Sequence, residues 1–156
     1  MDNTAPSKTI VRCTFAGHRD FQEDDASPIV EVLEHITTNA THLICYVGGM
    51  GEFDRLAETA AFAWRKAHPE KTLELYLVLP YIKKEVTDKK KMAKYDGIII
   101  PEEAETAHYK RAITIRNRWM VDHSDIVIAK IWRTFGGAYK TVEYAKAKNK
   151  IIISTT

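Results

Sequence analysis

The sequence of 156 residues contains only two cysteines, and neither belongs to a metal-binding or redox motif. Cys13 and Cys45 each lie inside an apolar run, with no CxxC pair and no Cys/His cluster. We therefore expect both to be reduced, buried packing residues. None of the six histidines has the spacing of a metal ligand, so the sequence predicts no metal site.

The sequence also lacks a long apolar run and a strong excess of charge of one sign. No stretch approaches the ~20 apolar residues of a membrane helix, and no signal-peptide pattern is present, which predicts a cytoplasmic protein. The 23 basic and 21 acidic residues give a net charge of +2. This balance gives no strong reason to expect DNA, RNA or an anionic membrane as a partner.

What the sequence does contain is an alternation of strand and helix patterns. Short apolar runs predict strands at 9–15, 42–47, 72–80, 96–101, 125–131 and 150–154. Helical periodicity predicts helices at 26–39, 53–67, 104–122 and from the Gly136-Gly137 loop to about 148, with a lysine-rich loop and short helix at 81–94. Ser27 is the expected N-cap of the first helix, with Pro28 at its first position. The pattern predicts one α/β domain over 1–156, with residues 1–8 frayed and a doubly wound, mostly parallel sheet covered by helices on both faces.

Three loops are expected to meet at the carboxyl edge of this sheet, where such folds bind ligands. They follow the first, second and fifth strands, at 17–20, 48–54 and 134–141. Glycines ahead of a helix let backbone N–H groups and the helix dipole approach a phosphate; alternatively, they only allow a tight turn. Neither glycine loop is a Walker motif or GxGxxG, so no cofactor is predicted. The candidate ligand-binding residues in these loops are Gly17, His18, Arg19, Gly48, Gly49, Gly51, Asp54, Gly136, Gly137, Ala138 and Thr141.

One arginine falls on the apolar face of the helix predicted at 104–122. At about 100° per residue, Arg116 lies near the centre of that face and Arg118 lies roughly 200° away. The apolar residues on the face are Tyr109, Ala112, Ile113 and Met120. A buried guanidinium needs an anionic partner, because an unpaired buried charge is costly. That partner is either a bound phosphate or a carboxylate of this chain.

Four segments carry a family resemblance: FAGHRDF at 15–21, GGMGEFDRLA at 48–57, RNRWMVDHSDIVIA at 116–129 and FGGAYKTVEYA at 135–145. They resemble the SLOG superfamily, which includes LOG-type phosphoribohydrolases and the Rossmann-like domain of the DNA-processing protein DprA, and they look like its small bacterial YpsA branch. The resemblance spans nearly the whole chain. It implies a Rossmann-like fold, a nucleotide or nucleotide-derived small molecule held by the glycine loops, and a homodimer as a reasonable expectation.

The resemblance also implies catalytic positions. LOG-type enzymes have an arginine ahead of the fifth-strand aspartate and a PGGxGTxxE loop, which fall here on Arg116 and Glu143. The sequence departs from that pattern at Ile115, Phe135, Tyr139 and Lys140. Because phosphate binding tolerates such changes more easily than hydrolysis does, we favour a binding module that senses or sequesters its ligand. The alternative is a phosphoribohydrolase that cleaves the N-glycosidic bond of a nucleoside 5′-monophosphate.

Overall fold

The computed structural model describes residues 9–20 and 22–155, apart from the side chain of Glu85, so the predicted frayed segment 1–8 lies outside the described residues. Strands and helices alternate along this part of the chain. The strands are β1 (Ile10–Gly17), β2 (His42–Val47), β3 (Thr72–Val78), β4 (Gly97–Ile99), β5 (Ile126–Lys130) and β6 (Ile151–Ser154). The helices are α1 (Ser27–Ile36), α2 (Glu52–Ala67), α3 (Lys89–Met92), α4 (Glu102–Glu105), α5 (Tyr109–Asp122) and α6 (Gly137–Ala147), with a 3₁₀ helix at Lys84–Thr87.

All six described strands form one parallel sheet in the order β4-β3-β2-β1-β5-β6. The chain winds outward from β1 to β4, then crosses back through α4 and α5 to place β5 on the other side of β1. The direction of winding therefore reverses at the β1–β5 pair, and a crevice opens beyond the carboxyl ends of these two strands. The doubly wound α/β fold predicted from the sequence is confirmed.

The two faces of the sheet are covered by different helix pairs. Helices α1 and α2 bury one face, where Trp64 is fully buried and its indole N–H donates a 2.9 Å hydrogen bond to Thr37 Oγ1. Helices α5 and α6 cover the other face near β1 and β5. Cys13 and Cys45 are buried free thiols, as predicted, and lie opposite each other in β1 and β2 with sulfur atoms 3.6 Å apart.

Three details differ from the predicted elements. Ser27 is the first residue of α1, and Ala26 is its N-cap. The helix predicted at 104–122 is two helices, because His108 has an extended backbone and serves as the N-cap of α5. Tyr109 is consequently the first residue of α5 and is 53% exposed, so it does not join the apolar face of that helix. Within the described residues, no helix has the length and apolar character needed to cross a membrane.

Candidate functional site

A cavity of about 420 Å³ lies at the carboxyl edge of the sheet and is called the cleft below. It is bounded by the loops after β1, β2 and β5 and by α5, so the three loops singled out from the sequence do meet. The sequence-predicted residues that line it are Gly17, His18, Arg19, Gly48, Asp54, Arg116, Gly136, Gly137, Ala138 and Thr141.

Two predicted residues face elsewhere. Gly49 lines a neighbouring groove, and a Cβ atom built on it would lie 2.7 Å from Leu77 Cδ1. Gly51 packs on the backbone of Arg19, with its Cβ position 3.3 Å from the Arg19 Cα atom. Both glycines shape the loop after β2 and do not line the cleft.

Arg116 points from α5 into the cleft and is only 4% exposed. Its Nη1 donates hydrogen bonds to the carbonyl oxygens of Gly48 (3.2 Å) and Val78 (3.0 Å), and its Nε donates to Asn117 Oδ1 at 2.9 Å. Among the described residues, no carboxylate oxygen lies within 4.0 Å of its guanidinium. Burial lowers the pKa of Arg116, and the charge of Asp54 partly offsets this effect. These contacts occupy Nε and both hydrogens of Nη1, whereas Nη2 has only the Met50 sulfur at 3.5 Å, and the charge has no ion-pair partner among the described residues.

Arg118 lies outside the cleft, as helical geometry predicts. Its exposed guanidinium lies over the ring of Tyr144, 4.8 Å from the ring centroid. The two arginines of the RNR string therefore have different surroundings, and Arg118 is a matched control for Arg116.

Asp54 supplies a carboxylate to the cleft and holds the loop after β2. Its Oδ2 accepts a 3.2 Å hydrogen bond from the backbone N–H of Met50. Burial raises the pKa of Asp54 to about 6, while the Met50 N–H and the charge of Arg116 act in the opposite direction. Asp54 is therefore ionised at neutral pH and changes charge in mildly acidic solution.

His18 connects the loop after β1 to the loop after β5. Its buried ring contacts Trp132 edge-on with centroids 4.4 Å apart, and its Nε2 accepts a 3.4 Å hydrogen bond from the Trp132 backbone N–H. Burial lowers the pKa of His18, and the charge of Arg133 lowers it further. A neutral imidazole with an accepting Nε2 therefore positions the loop after β5.

Arg133 lines the cleft and was not among the residues chosen from the sequence. Its Nη1 forms a 2.9 Å ion pair with Asp20 Oδ2. The available signal was its position directly beyond the fifth strand, next to the crevice where winding reverses. A loop has no periodicity from which the direction of the Arg133 side chain could have been predicted.

Gly136 and Gly137 begin α6 at the wall of the cleft. No described atom outside the adjacent chain lies within 4 Å of a Cβ atom built on either glycine. Gly136, the N-cap, has no side chain to bond the first N–H groups of this 11-residue helix. Such unbonded N–H groups and the positive end of the helix dipole favour an anion. Thr141 does not cap the helix, since its hydroxyl donates to the Gly137 carbonyl oxygen at 2.8 Å.

The structure does not bring Glu143 into the cleft with Arg116. The side chain of Glu143 is 45% exposed, its Oε1 lies 3.1 Å from Lys146 Nζ, and it lines a separate groove between α5 and α6. Its helical position turns it away from the sheet, toward solvent. The carboxylate expected opposite the cleft arginine is therefore absent from the residues that line this cavity.

Compared with family models and with curated proteins, the sequence matches none. Its structure resembles DNA processing protein A from Helicobacter pylori, which binds single-stranded DNA, with a TM-score of 0.59, 17% identity and 94% of this chain covered. The chain spans 65% of the length of that protein. It also resembles TM1055, a structural-genomics target (TM-score 0.54, 11% identity, covering 91% of this chain and 72% of that one). A third similar structure is the molybdenum cofactor carrier protein from Chlamydomonas reinhardtii, with a TM-score of 0.55 and 18% identity, covering 94% of this chain and 75% of that one.

At these identities the comparisons show the fold, and the finer resemblance to the YpsA branch stays a prediction. The Rossmann-like parallel sheet is the fold that the resemblance implied, and three loops meet at its carboxyl edge as the strand pattern predicted. The chain therefore has a Rossmann-like fold, and its membership of the SLOG superfamily stays a prediction from the sequence.

Proposed function

We propose that the cleft binds the phosphate group of a nucleotide-derived small molecule and holds it without turnover. The observation that carries this proposal is the state of Arg116, a guanidinium buried at the wall of a cavity with no carboxylate of the described chain within 4.0 Å. A buried charge without an ionic partner is costly, and a bound phosphate would compensate it.

The charges around the cavity favour an anion. Of the described residues that line the cleft, three are arginines, at positions 19, 116 and 133, and one, Asp54, has a carboxylate; Asp20, outside the lining, pairs with Arg133. The open N-terminus of α6 adds backbone donors on the same side. The Nη2 group of Arg116 has only the Met50 sulfur, 3.5 Å away, as a described contact, so it is the part of the guanidinium that would donate to a phosphate.

Two further observations support binding over hydrolysis. Glu143, the only carboxylate that the LOG-type pattern offers for catalysis, lies outside the cleft and contacts Lys146. One structural neighbour is a cofactor carrier, a protein whose role is to hold a small molecule. Hydrolysis stays the alternative, to be tested by incubating the protein with nucleoside 5′-monophosphates and measuring free base. Release that Glu143→Ala abolishes would replace the binding proposal.

The direct test is calorimetric titration of Arg116→Lys and Arg118→Lys with ribose 5-phosphate and with adenosine 5′-monophosphate. We expect Arg116→Lys to weaken both ligands about a hundredfold, because lysine lacks the Nη2 donor and the contacts to Gly48, Val78 and Asn117 that hold the guanidinium in the buried site. Arg118→Lys should bind like the wild type, because Arg118 lies over Tyr144 outside the cleft. Circular dichroism would verify that both variants fold. Equal affinities in the two variants would contradict the assignment of the phosphate to Arg116.

Single-stranded nucleic acid is a second candidate partner. The near-neutral net charge would argue against nucleic-acid binding if the charges were spread evenly over the chain. They are not, because residues 83–94 contain six lysines and two acidic residues. Four of these lysines surround a groove of about 540 Å³, called the lysine groove below, which meets the loop after β2 at Gly49. The structural neighbour from Helicobacter pylori binds single-stranded DNA, so the sequence-based expectation against nucleic acid loses its support. The members of the groove are Lys83, Lys90, Lys91 and Lys94, with Leu77, Leu79, Val86, Met92 and Tyr95 between them.

Fluorescence anisotropy with labelled oligothymidine over a salt series tests this candidate. If the lysine groove contacts phosphates, the affinity of the double variant Lys90→Ala/Lys91→Ala should depend less on salt. The slope of log K against log salt concentration should decrease in magnitude by about 1.4, since each lost contact to a single strand contributes about 0.7. Lys66→Ala/Lys150→Ala removes the same charge at the opposite edge of the sheet and should change nothing. Equal slopes in the two double variants would exclude the lysine groove as the contact surface. The homodimer implied by the resemblance stays a prediction, which light scattering on the same samples would test.

A further inference from the structure

Two exposed aromatic rings lie on the loop between β5 and α6, beside the cleft-lining residues His18 and Arg133. Trp132 is 48% exposed and Phe135 is 65% exposed. The guanidinium of Arg133 lies against both rings, 5.8 Å from the Trp132 centroid and 5.0 Å from the Phe135 centroid. These three residues are called the aromatic rim below.

The aromatic rim is fixed by contacts from the loop after β1. His18 packs on the Trp132 ring and accepts a hydrogen bond from the Trp132 N–H, while Asp20 holds the Arg133 guanidinium. The rings are therefore positioned before any ligand arrives, which reduces the entropy lost when one binds. The Nε atom of Arg133 is buried without a hydrogen-bond partner in the described part of the chain, a further sign of a site built for more than its own contacts.

The chemistry of the aromatic rim suits a flat, electron-rich ring. Single exposed apolar residues are normal in proteins. Here two exposed aromatic rings lie on either side of an arginine that lines the cleft. Because aromatic and guanidinium planes both stack on nucleobases, these three side chains together form a stacking surface. Arg133 joins the two regions, since it lines the cleft and contacts both rings.

Chain connectivity relates the aromatic rim to the phosphate site. Phe135 directly precedes Gly136 and Gly137, whose backbone begins α6 at the cleft. One loop thus presents backbone donors inward and aromatic side chains at the mouth. A ligand with its phosphate inside would have its other end near the aromatic rim.

We propose that the aromatic rim stacks the base of a nucleoside monophosphate whose phosphate lies in the cleft. This inference rests on the proposed function, and it names the part of the ligand that Arg116 does not explain. Since stacking grows with the area of the ring system, purine nucleotides should bind more tightly than pyrimidine nucleotides.

The test compares a ligand that has a base with one that lacks it. Adenosine 5′-monophosphate and ribose 5-phosphate are titrated into the wild type and into Phe135→Leu, Trp132→Leu and Tyr109→Leu. Each rim variant should lose about tenfold in affinity for the nucleotide and keep its affinity for ribose 5-phosphate. Tyr109 is an exposed aromatic residue at the start of α5 and contacts none of the aromatic rim in the described structure, so Tyr109→Leu should leave both affinities unchanged.

The outcomes separate the two proposals. If the wild type binds ribose 5-phosphate and the nucleotide equally, the phosphate site stands and base stacking is wrong. If the wild type binds neither ligand, the proposed function fails and the inference fails with it. Unchanged nucleotide binding in Phe135→Leu and Trp132→Leu would also overturn it and leave the exposed rings for a protein partner.

Tryptophan fluorescence gives an independent readout. Trp64 is fully buried and Trp119 packs against Tyr46, whereas Trp132 is half exposed at the cleft mouth. Adenosine 5′-monophosphate should therefore quench mainly Trp132. Trp132→Phe keeps an aromatic face and should retain nucleotide affinity while losing the quenching; equal quenching in this variant would contradict stacking at Trp132.

Discussion

The loops after β2 and β5 both carry a glycine pair ahead of a helix, yet the two pairs have different surroundings. After β2, a Cβ atom on Gly48 would lie 3.0 Å from Arg116 Nη1, and one on Gly49 would lie 2.7 Å from Leu77 Cδ1. After β5, Cβ atoms on Gly136 and Gly137 would meet no described atom within 4 Å. The first pair is required by contacts within the protein. The second pair faces open space, and Gly136 is required by its backbone φ of 94° rather than by a contact.

This difference separates two uses of glycine that the sequence could not distinguish. In the loop after β2, glycine allows the chain to pass close to Arg116 and Leu77, and Asp54 holds that arrangement. In the loop after β5, the missing side chains leave room where the N-terminus of α6 meets the cleft. Substitutions in the first loop should therefore act on stability, and substitutions at Gly137 should act on binding.

The largest effect is expected for Gly49→Ala. Gly49 has a φ of 65°, which is unfavourable for a residue with a side chain, and the added methyl would press on Leu77. We expect the free energy of unfolding to fall by about 3 kcal/mol, as measured by urea denaturation. A loss below about 0.5 kcal/mol would mean that the loop relaxes freely and that its glycines have no packing role.

A smaller effect, dependent on pH, is expected at Asp54. Because burial raises the pKa of Asp54 to about 6, the folded protein binds its proton more tightly than the unfolded chain does. This group therefore stabilises the fold below about pH 4, and its contribution is lost as the pH rises through about 6. Between those limits, the stability of the wild type should fall by on the order of 2 kcal/mol relative to Asp54→Asn. Parallel pH profiles from urea denaturation of the two proteins would show that Asp54 has an ordinary pKa.

Binding is the expected target at Gly137. A leucine in the open space beside Gly137 should occupy part of the volume assigned to the phosphate and weaken ribose 5-phosphate binding by at least about tenfold, or about 1.4 kcal/mol. Calorimetry on Gly137→Leu measures this change. Wild-type affinity in that variant would place the phosphate away from the start of α6.

The smallest effect is expected for Gly137→Ala on stability. The methyl group meets nothing within 4 Å among the described residues, and alanine restricts the unfolded chain more than glycine does. We expect the free energy of unfolding to change by less than about 1 kcal/mol, with a small increase the favoured direction. A large loss in urea denaturation would show that this loop, like the first, is tightly packed.

The sheet and its loops could be predicted because buried parallel strands appear in the sequence as apolar runs. The second strand at 42–47 agrees residue for residue, and the other five differ by one to three residues at their ends. Helical spacing also placed Arg116 inward and Arg118 outward, because both lie in the regular middle of α5. The strand order could not be predicted in the same way, since the β1–β5 pairing joins distant segments.

The site was predictable where regular structure directs a side chain and less so elsewhere. Counting along the loop aligned Glu143 with a catalytic glutamate. An alignment does not show where a side chain points, and the position of Glu143 on α6 directs its side chain to solvent. Tyr109 was misplaced because the extended backbone at His108 interrupts the predicted helix. Arg133 was missed because its direction is set by Asp20 and the neighbouring rings, contacts that no local pattern encodes.

The position of β1 between β2 and β5 has a consequence for folding. Cys13 and Cys45 meet across 32 residues, whereas the contact between His18 and Trp132 spans 114. Long-range contacts form late because closing a large loop costs chain entropy before any packing is gained. We therefore expect β1 to β4 to associate first and β5 to dock last. The cleft is complete only after that final step, so a bound ligand should slow hydrogen exchange most strongly in β5 and α6, the segments that close it.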